Sequence, residues 1–237
     1  MGSIIEVFPH GANLVPQART WRSASARAVE PPRSRLARLD DLASIRALQH
    51  AVQPSAPSVA LRQFETRRRA FPEGQLVVER GGELVACASA LIVRWDDPAP
   101  STFDTHDPAG HTLLLDDIAF DPETSGDAAL RRLLQAERRV CRALNLRRII
   151  LAARIPGYSA FEDELSPEDY AGRVVWGDIA EPALRVPLAL GFQYCGIARG
   201  WRPRDAGSCG HAALLAWLNP LFSPPQPPAA ERPRKCA

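Results

Sequence analysis

A chain of 237 residues, 46% hydrophobic and 24% charged, can bury one sizeable core, which excludes fibrous, collagen-like and wholly disordered classes. Its net charge of +2 provides no overall field for nucleic acid. No apolar run reaches the length of a transmembrane helix, so no membrane partner is expected.

In chain order, residues 1–33 lack periodicity and read as a disordered or extended leader, with Ile4–Phe8 able to add an edge strand. Ser34–Leu39 alternates as a short first strand, and Asp40-Asp41 opens a helix carrying Leu42, Ile45, Leu48 and Gln49 at helical spacing. Ser58 is placed to cap a second helix, Val59–Arg69, whose Arg67-Arg68-Arg69 ending is able to bind an anion, though such a run is more often a solvated face at the favourable end of the dipole. Gln75–Arg80, Gly81-Gly82 and Glu83–Trp95 form a hairpin pattern. The loop Asp96–Gly110 holds Asp104, His106 and Asp107, with His111 just beyond; no ligand spacing supports a metal, so it reads as solvated.

Leu113–Phe120 is an apolar strand interrupted by Asp116 and Asp117, which simple alternation sends to opposite faces. Turn residues follow through Gly126. From Asp127 a helix carries Leu130, Leu133, Leu134, Val140, Cys141 and Leu144 on one face and arginines on the other, before a strand at Arg147–Ala153. A strand that delivers the chain to a helix N-terminus is a standing anion site, because free N–H groups and the dipole point at it. Beyond Arg154, Tyr158 follows Pro156-Gly157 at a strand exit. Ser166 and Asp169 form a capping box, Pro182–Leu190 is a short helix, and Phe192–Trp201 and Ser208–Leu218 are two last strands. Residues 220–237 are a Pro-rich tail. The cysteines Cys87, Cys141, Cys195, Cys209 and Cys236 form no CxxC pair and read as free thiols of a reducing compartment, the first three inside apolar elements. Lys235 is the sole lysine, a usage typical of a GC-rich, bacterial genome.

Leu113–Arg154 resembles motif A of the GNAT N-acetyltransferase superfamily. Asn145–Ile150, Arg154–Tyr158, Leu165–Tyr170, Gly191-Phe192 and Trp217–Pro220 resemble the GNAT domain fused to carbon–nitrogen hydrolases, relatives of nitrilases. The likeness spans Ser34–Pro220. It implies an α/β fold with a mixed α+β sheet, the GNAT-like acyl-CoA N-acyltransferase fold, in a single domain at 34–219 between flexible tails. It implies acetyl-CoA as co-substrate and a small-molecule or peptide amine as acceptor, in a cytoplasmic enzyme. The diphosphate-binding frame falls on Ser125, Gly126, Asp127, Ala128, Ala129, Leu130 and Arg131. Backbone donors fall on Ile118, Ala119 and Phe120, and Asp117 falls at the catalytic carboxylate. The position that holds an acidic tyrosine in many GNAT enzymes is Pro187 here, so the resemblance leaves Tyr158 and Tyr170 as the phenols of the substrate-side insert, with Tyr158 the candidate acid. Asp127 is expected to repel a phosphate by about 1 kcal/mol at 4 Å in water, and with Thr124 or Ser125 to cap the helix internally. The alternative reading is a non-catalytic GNAT-like domain that binds a protein partner or ligand. A nucleic-acid site on the arginine face of the 131–142 helix lacks aromatic interleaving and is not expected.

Overall fold

The computed structural model describes residues 30–54, 57–95, 106–120 and 122–224, with the backbone alone at 116 and 122–125. The expected leader with its Ile4–Phe8 strand, most of the loop before Gly110, and the tail past Pro224 with Lys235 and Cys236 lie outside the described residues.

Seven strands among the described residues form one sheet in the order β1-β2-β3-β4-β5-β7-β6. They are β1 (Arg33–Leu36), β2 (Gln75–Arg80), β3 (Glu83–Val93), β4 (Thr112–Phe120), β5 (Arg148–Ala153), β6 (Gln193–Ala198) and β7 (Ala212–Leu218). The β2–β3 hairpin forms as its glycine pair requires: Gly81 and Gly82 have φ of 58° and 87°, the left-handed conformation that matches the strand twist in two-residue turns. All pairings are antiparallel except β4 with β5. That parallel pair needs a crossover, supplied by α3 (Pro122–Ala143).

Helices cover both faces. α1 (Leu42–Val52) and α2 (Leu61–Ala70) bury Ile45, Leu48 and Phe64 against Val77, Cys87 and Ala119. α3 covers the opposite face, with α4 (Pro167–Trp176) and α5 (Pro182–Ala189) beside it. Its Leu130 and Leu134 meet Leu113 and Leu115, and Ala129 and Leu133 meet Leu76 and Val78. Burial of apolar side chains at roughly 25 cal/mol per Å² drives both interfaces.

Several local expectations change. The first strand ends at Leu36, and Leu39–Asp41 is a 3-10 turn. Ser58 does not cap α2, whose N-cap Ala60 has no side-chain bond; the Ser58 hydroxyl reaches Arg46 O at 3.5 Å. Ser166 does cap α4, accepting from Asp169 N at 3.1 Å while its hydroxyl donates to the Asp169 carboxylate at 2.7 Å. Leu144 is exposed and Cys195 lies on the surface, since β6 is an edge strand. His106 is tethered rather than solvated: its Nδ1 accepts from Ile92 N at 3.1 Å and its ring stacks on Phe71. The arginine face of α3 is partly structural. Arg138 and Arg142 lie over Trp217 at 4.7 and 5.3 Å, and Arg138 donates to Leu190 O.

Glu137 sits on the buried stripe of α3. It is 0% exposed, and neither carboxylate oxygen has a hydrogen-bond partner among the described residues. Burial pushes its carboxyl well above the usual value of 4.5. Since the folded state holds this proton more tightly, stability is fully present below the unfolded value and is lost as pH rises through the folded one. Glu137→Leu is therefore expected to stabilise the fold by about 1–3 kcal/mol at neutral pH. In urea titrations the gain should be larger at pH 8 than at pH 4.

Candidate functional site

The site begins at a one-residue irregularity in β4. Ser89 pairs with Asp117 and Ala90 with Leu115, so residue 116 is an extra residue in the ladder, a β-bulge. Leu113 and Leu115 face α3, and so does Ile118, three residues on. Asp117 and Ala119 are thereby turned to the α1–α2 side, where Ala119 joins Ile45 and Phe64. Without the bulge, alternation would bury Asp117 beside Leu113 and Leu115 in the α3 core. On the side it does face, Gln49 Nε2 donates to Asp117 Oδ2 at 2.6 Å, and Gln49 Oε1 accepts from Val59 N at 3.0 Å. The glutamine thus ties α1, the segment before α2 and β4 into one arrangement around the carboxylate.

The same bulge precedes a splay. β4 and β5 pair only from Thr112↔Arg148 to Leu115↔Leu151, although β4 runs on to Phe120 and β5 to Ala153. Along Asp117–Phe120 one edge pairs with β3 and the other faces the gap, so alternate backbone N–H and C=O groups point into it. A cavity of about 50 Å³ occupies the gap, walled by Ile118, Leu130, Leu151, Ala153, Ala183 and Pro187. On the α1–α2 side it shares Ile118 and Arg202 with a polar cavity of about 180 Å³ that holds Gln49, Arg67 and Asp117. Behind this lies a recess of about 20 Å³ floored by Ile45, Val59, Phe64 and Cys87. Burial, with the Asp117 charge, pushes the Cys87 thiol far up and leaves it a packing group.

The turn into α3 hinges on Gly126, whose φ of 54° and ψ of −161° interrupt the helix. That conformation is open essentially to glycine alone. The continuous helix proper starts after it, and its first N–H groups open toward the loop. Asp127 there forms an ion pair with Arg185 of α5 at 2.7 Å, so its charge is partnered rather than left to oppose an anion. Leu130 is 2% exposed and turns into the core, as does Ala129, while Ala128 is exposed and Arg131 half-buried. Of Ser125 the backbone alone is described. Gly126→Ala meets no neighbour at its new methyl, so its cost is backbone strain alone. It is expected to lower unfolding free energy by about 1–3 kcal/mol, measurable by urea titration.

Tyr158 is not brought to Asp117. Its ring is 5% exposed among Tyr170 and His211, and its hydroxyl donates to Leu165 O at 3.1 Å. This corrects the sequence expectation: the turn after Pro156 folds the phenol under α4 instead of into the gap. Tyr170, the other phenol of this segment, donates to the buried Glu181 at 2.9 Å. Pro187, at the position where many GNAT enzymes hold a tyrosine, does line the gap.

The wall beyond β5 is held by Arg154. It makes a bidentate pair with Asp205 at 2.6 and 2.8 Å and donates to Val52 O at 3.1 Å. Burial raises the Asp205 carboxyl, but the hydrogen bonds from Arg154 and Ser208 outweigh it and hold the group below its usual range. The sequence assigns no site role to Gln49, Arg154, Arg185 or Arg202, and marks Arg67 only as part of an arginine run able to bind an anion. For Gln49 a signal existed, a polar residue on the apolar stripe of α1. For Arg154, Arg185 and Arg202 none did, because their partners lie far along the chain.

Among the described residues no cluster of three or more His, Cys, Asp or Glu gathers as a metal site, and no helix is long and apolar enough to cross a membrane. No protein-family model matches the chain. It is 30% identical over 166 residues to Probable hydrolase YhcX of Bacillus subtilis, covering 66% of this chain and 32% of that relative, so it spans about a third of that relative's length. It is 24% identical over 170 residues to Uncharacterized N-acetyltransferase YkwB of the same organism, covering 68% and 75%. Among solved structures it resembles the GphF GNAT-like decarboxylase in complex with isobutyryl-CoA, with TM-score 0.64, 25% identity and coverage of 79% and 99%. It also resembles the loading GNATL domain of CurA from Lyngbya majuscula, with TM-score 0.69, 17% identity and coverage of 79% and 98%. A third likeness is to yncA of Salmonella typhimurium with acetyl-CoA, at TM-score 0.51, 15% identity and coverage of 83% and 99%. The strand order, the one parallel pair that splays and these likenesses agree: the chain has the GNAT acyl-CoA N-acyltransferase fold.

Proposed function

We propose that the protein is an acyl-CoA-dependent N-acyltransferase that moves an acetyl group from acetyl-CoA to an amine, in the bacterial cytoplasm. The observation that carries this is the bulge, which turns Asp117 out of the α3 core toward the polar cavity that adjoins the β4–β5 gap. The gap admits the extended arm of a CoA thioester, and the Gly126 turn with the α3 N-terminus receives the diphosphate through backbone N–H groups. Arg185 pairs with Asp127 at the start of α3, so this carboxylate does not stand unpartnered beside the diphosphate. A backbone N–H along Ile118–Phe120 polarises the thioester carbonyl. Asp117 takes the amine's proton as the carbon–nitrogen bond forms and the carbon–sulfur bond breaks, releasing CoA. The 30% identity to a probable hydrolase supports placing the chain with the GNAT domains that accompany carbon–nitrogen hydrolases.

A second reading is decarboxylation of a CoA thioester, favoured by the likeness to a GNAT-like decarboxylase at 25% identity. Calorimetric titration with acetyl-CoA tests the shared core of both. Micromolar binding is expected, and Asp127→Gly should bind at least as tightly. No binding by either protein removes CoA from the account, and the partner-binding alternative then takes its place.

A further inference from the structure

The recess of about 20 Å³ behind the polar cavity shares Gln49, Arg67 and Asp117 with it, so it adjoins the carboxylate. The rest of its wall is mostly apolar. Ala37, Ile45, Val59, Phe64, Leu76 and Cys87 line it, and all six are buried. They come from six separate stretches of chain, and the backbone behind them is pinned. Ala37 N donates to Gln75 O at 2.8 Å, Arg68 Nε donates to Ala37 O at 2.9 Å, and Val59 N donates to Gln49 Oε1 at 3.0 Å. A recess held in this way keeps its size, because packed interiors resist both expansion and collapse.

Polar groups at its border already have partners. Gln49 bonds Asp117 through one end of its amide and Val59 N through the other. Gln75 Nε2 donates to Ala90 O at 3.2 Å, and Ser89 Oγ accepts from Arg67 Nη1 at 3.2 Å. A volume of this size holds one group as large as a water or a methyl, and a buried water needs two to four polar partners. An apolar wall with engaged polar neighbours suits the methyl better.

Two substrate groups come near. The amine has to reach Asp117 to lose its proton, and the polar cavity, bordered by the exposed Pro57, is its way in. The acyl group comes from the β4–β5 gap on the other side, with an alkyl end that has no use for a polar cavity.

We propose that this recess receives the alkyl end of the acyl group and limits its length, with no room beyond propionyl. The proposal rests on the CoA-cleft reading, which brings the thioester beside Asp117. Calorimetric titration of the full chain with CoA, acetyl-CoA, propionyl-CoA, butyryl-CoA and isobutyryl-CoA tests it. In the wild type affinity should rise about fourfold for each carbon buried, reach its maximum no later than propionyl-CoA, and gain nothing from butyryl or isobutyryl. Val59→Ala enlarges the recess and keeps the N–H that holds Gln49. It should move the maximum at least one carbon longer, again by about fourfold. Ala37→Val fills the recess. It should bring every thioester to within about twofold of CoA without lowering the melting temperature, as cavity-filling substitutions do. CoA itself, lacking the acyl group, should bind all three proteins within about twofold.

If the thioesters bind but the acyl group adds nothing to CoA affinity, or affinity in the wild type keeps rising through butyryl-CoA, the acyl assignment is overturned and the CoA reading stands. The same holds if the chain-length order is unchanged in both variants. Should Ala37→Val fail to fold, Val59→Ala decides alone, and an unmoved maximum overturns the proposal. If neither CoA nor any thioester binds the wild type, the CoA reading falls and the acyl assignment falls with it.

Discussion

Asp117→Asn is expected to lower kcat/KM by about 10²–10⁴-fold, the usual contribution of a positioned general base, while the Kd for acetyl-CoA stays within about twofold. The substitution keeps the side chain's size and its capacity to accept from Gln49 Nε2, so the fold and the α1–β4 tie should survive. What is lost is a group able to hold the amine's proton. Gln49→Leu is expected to act in the same direction but more weakly, by roughly tenfold, because it frees the carboxylate to leave the orientation that Val59 N fixes through the glutamine. Single-turnover kinetics with radiolabelled acetyl-CoA, alongside calorimetry, would separate the chemical step from binding. A variant that loses acetyl-CoA affinity with no change in the chemical step would transfer Asp117 from the reaction to the structure.

Arg154→Ala is expected to destabilise the protein by about 3–5 kcal/mol, the cost of leaving one member of a buried pair without its partner. Asp205 is 2% exposed and accepts both guanidinium bonds. Its hydrogen bond from Ser208 at 2.8 Å remains and cannot replace a charge. In the wild type the Asp205 carboxyl lies below its ordinary 3.8. Its contribution is thus fully present above that value and is lost as pH falls through the folded one. Without Arg154, burial, the largest influence on the carboxyl, is opposed only by the Ser208 hydrogen bonds, so the sign is expected to reverse and stability to fall as pH rises from about 4 to 7. The gap between wild type and variant should accordingly be larger at pH 7 than at pH 3 in urea titrations. Arg154→Met combined with Asp205→Leu should recover most of the loss, since it removes both charges and keeps volume. The variant should also weaken acetyl-CoA binding, because Arg154 ties the wall of the gap to the end of α1.

Most elements were legible in the chain because their signals are local. The β2–β3 hairpin follows from two glycines between alternating strands, and α4 from Ser166, Pro167 and Asp169 at its start. The α3 stripe was legible in outline, yet Glu137 was not recognised within it, since a charged residue in the buried register reads locally as solvated. The direction of Tyr158 is not encoded locally for a related reason. A phenol after a strand exit can face in or out, and the packing of Tyr170 and His211 decided the matter.

By itself the sequence determined the order of strands and helices, the glycine-dependent turn into α3, and the motif frame around Asp117. The tertiary structure alone decided which way that frame faces. One extra residue at position 116 reverses every side chain downstream in β4, and a bulge of this kind is set by the pairing of β4 with β3 rather than by any period along β4. The pairing of Asp127 with Arg185, 58 positions away, and the presence of Arg67 and Arg202 in the lining of one cavity have the same origin. Contacts between distant elements arise when apolar faces pack together, and periodicity within each element carries no information about which charged side chains that packing will bring side by side.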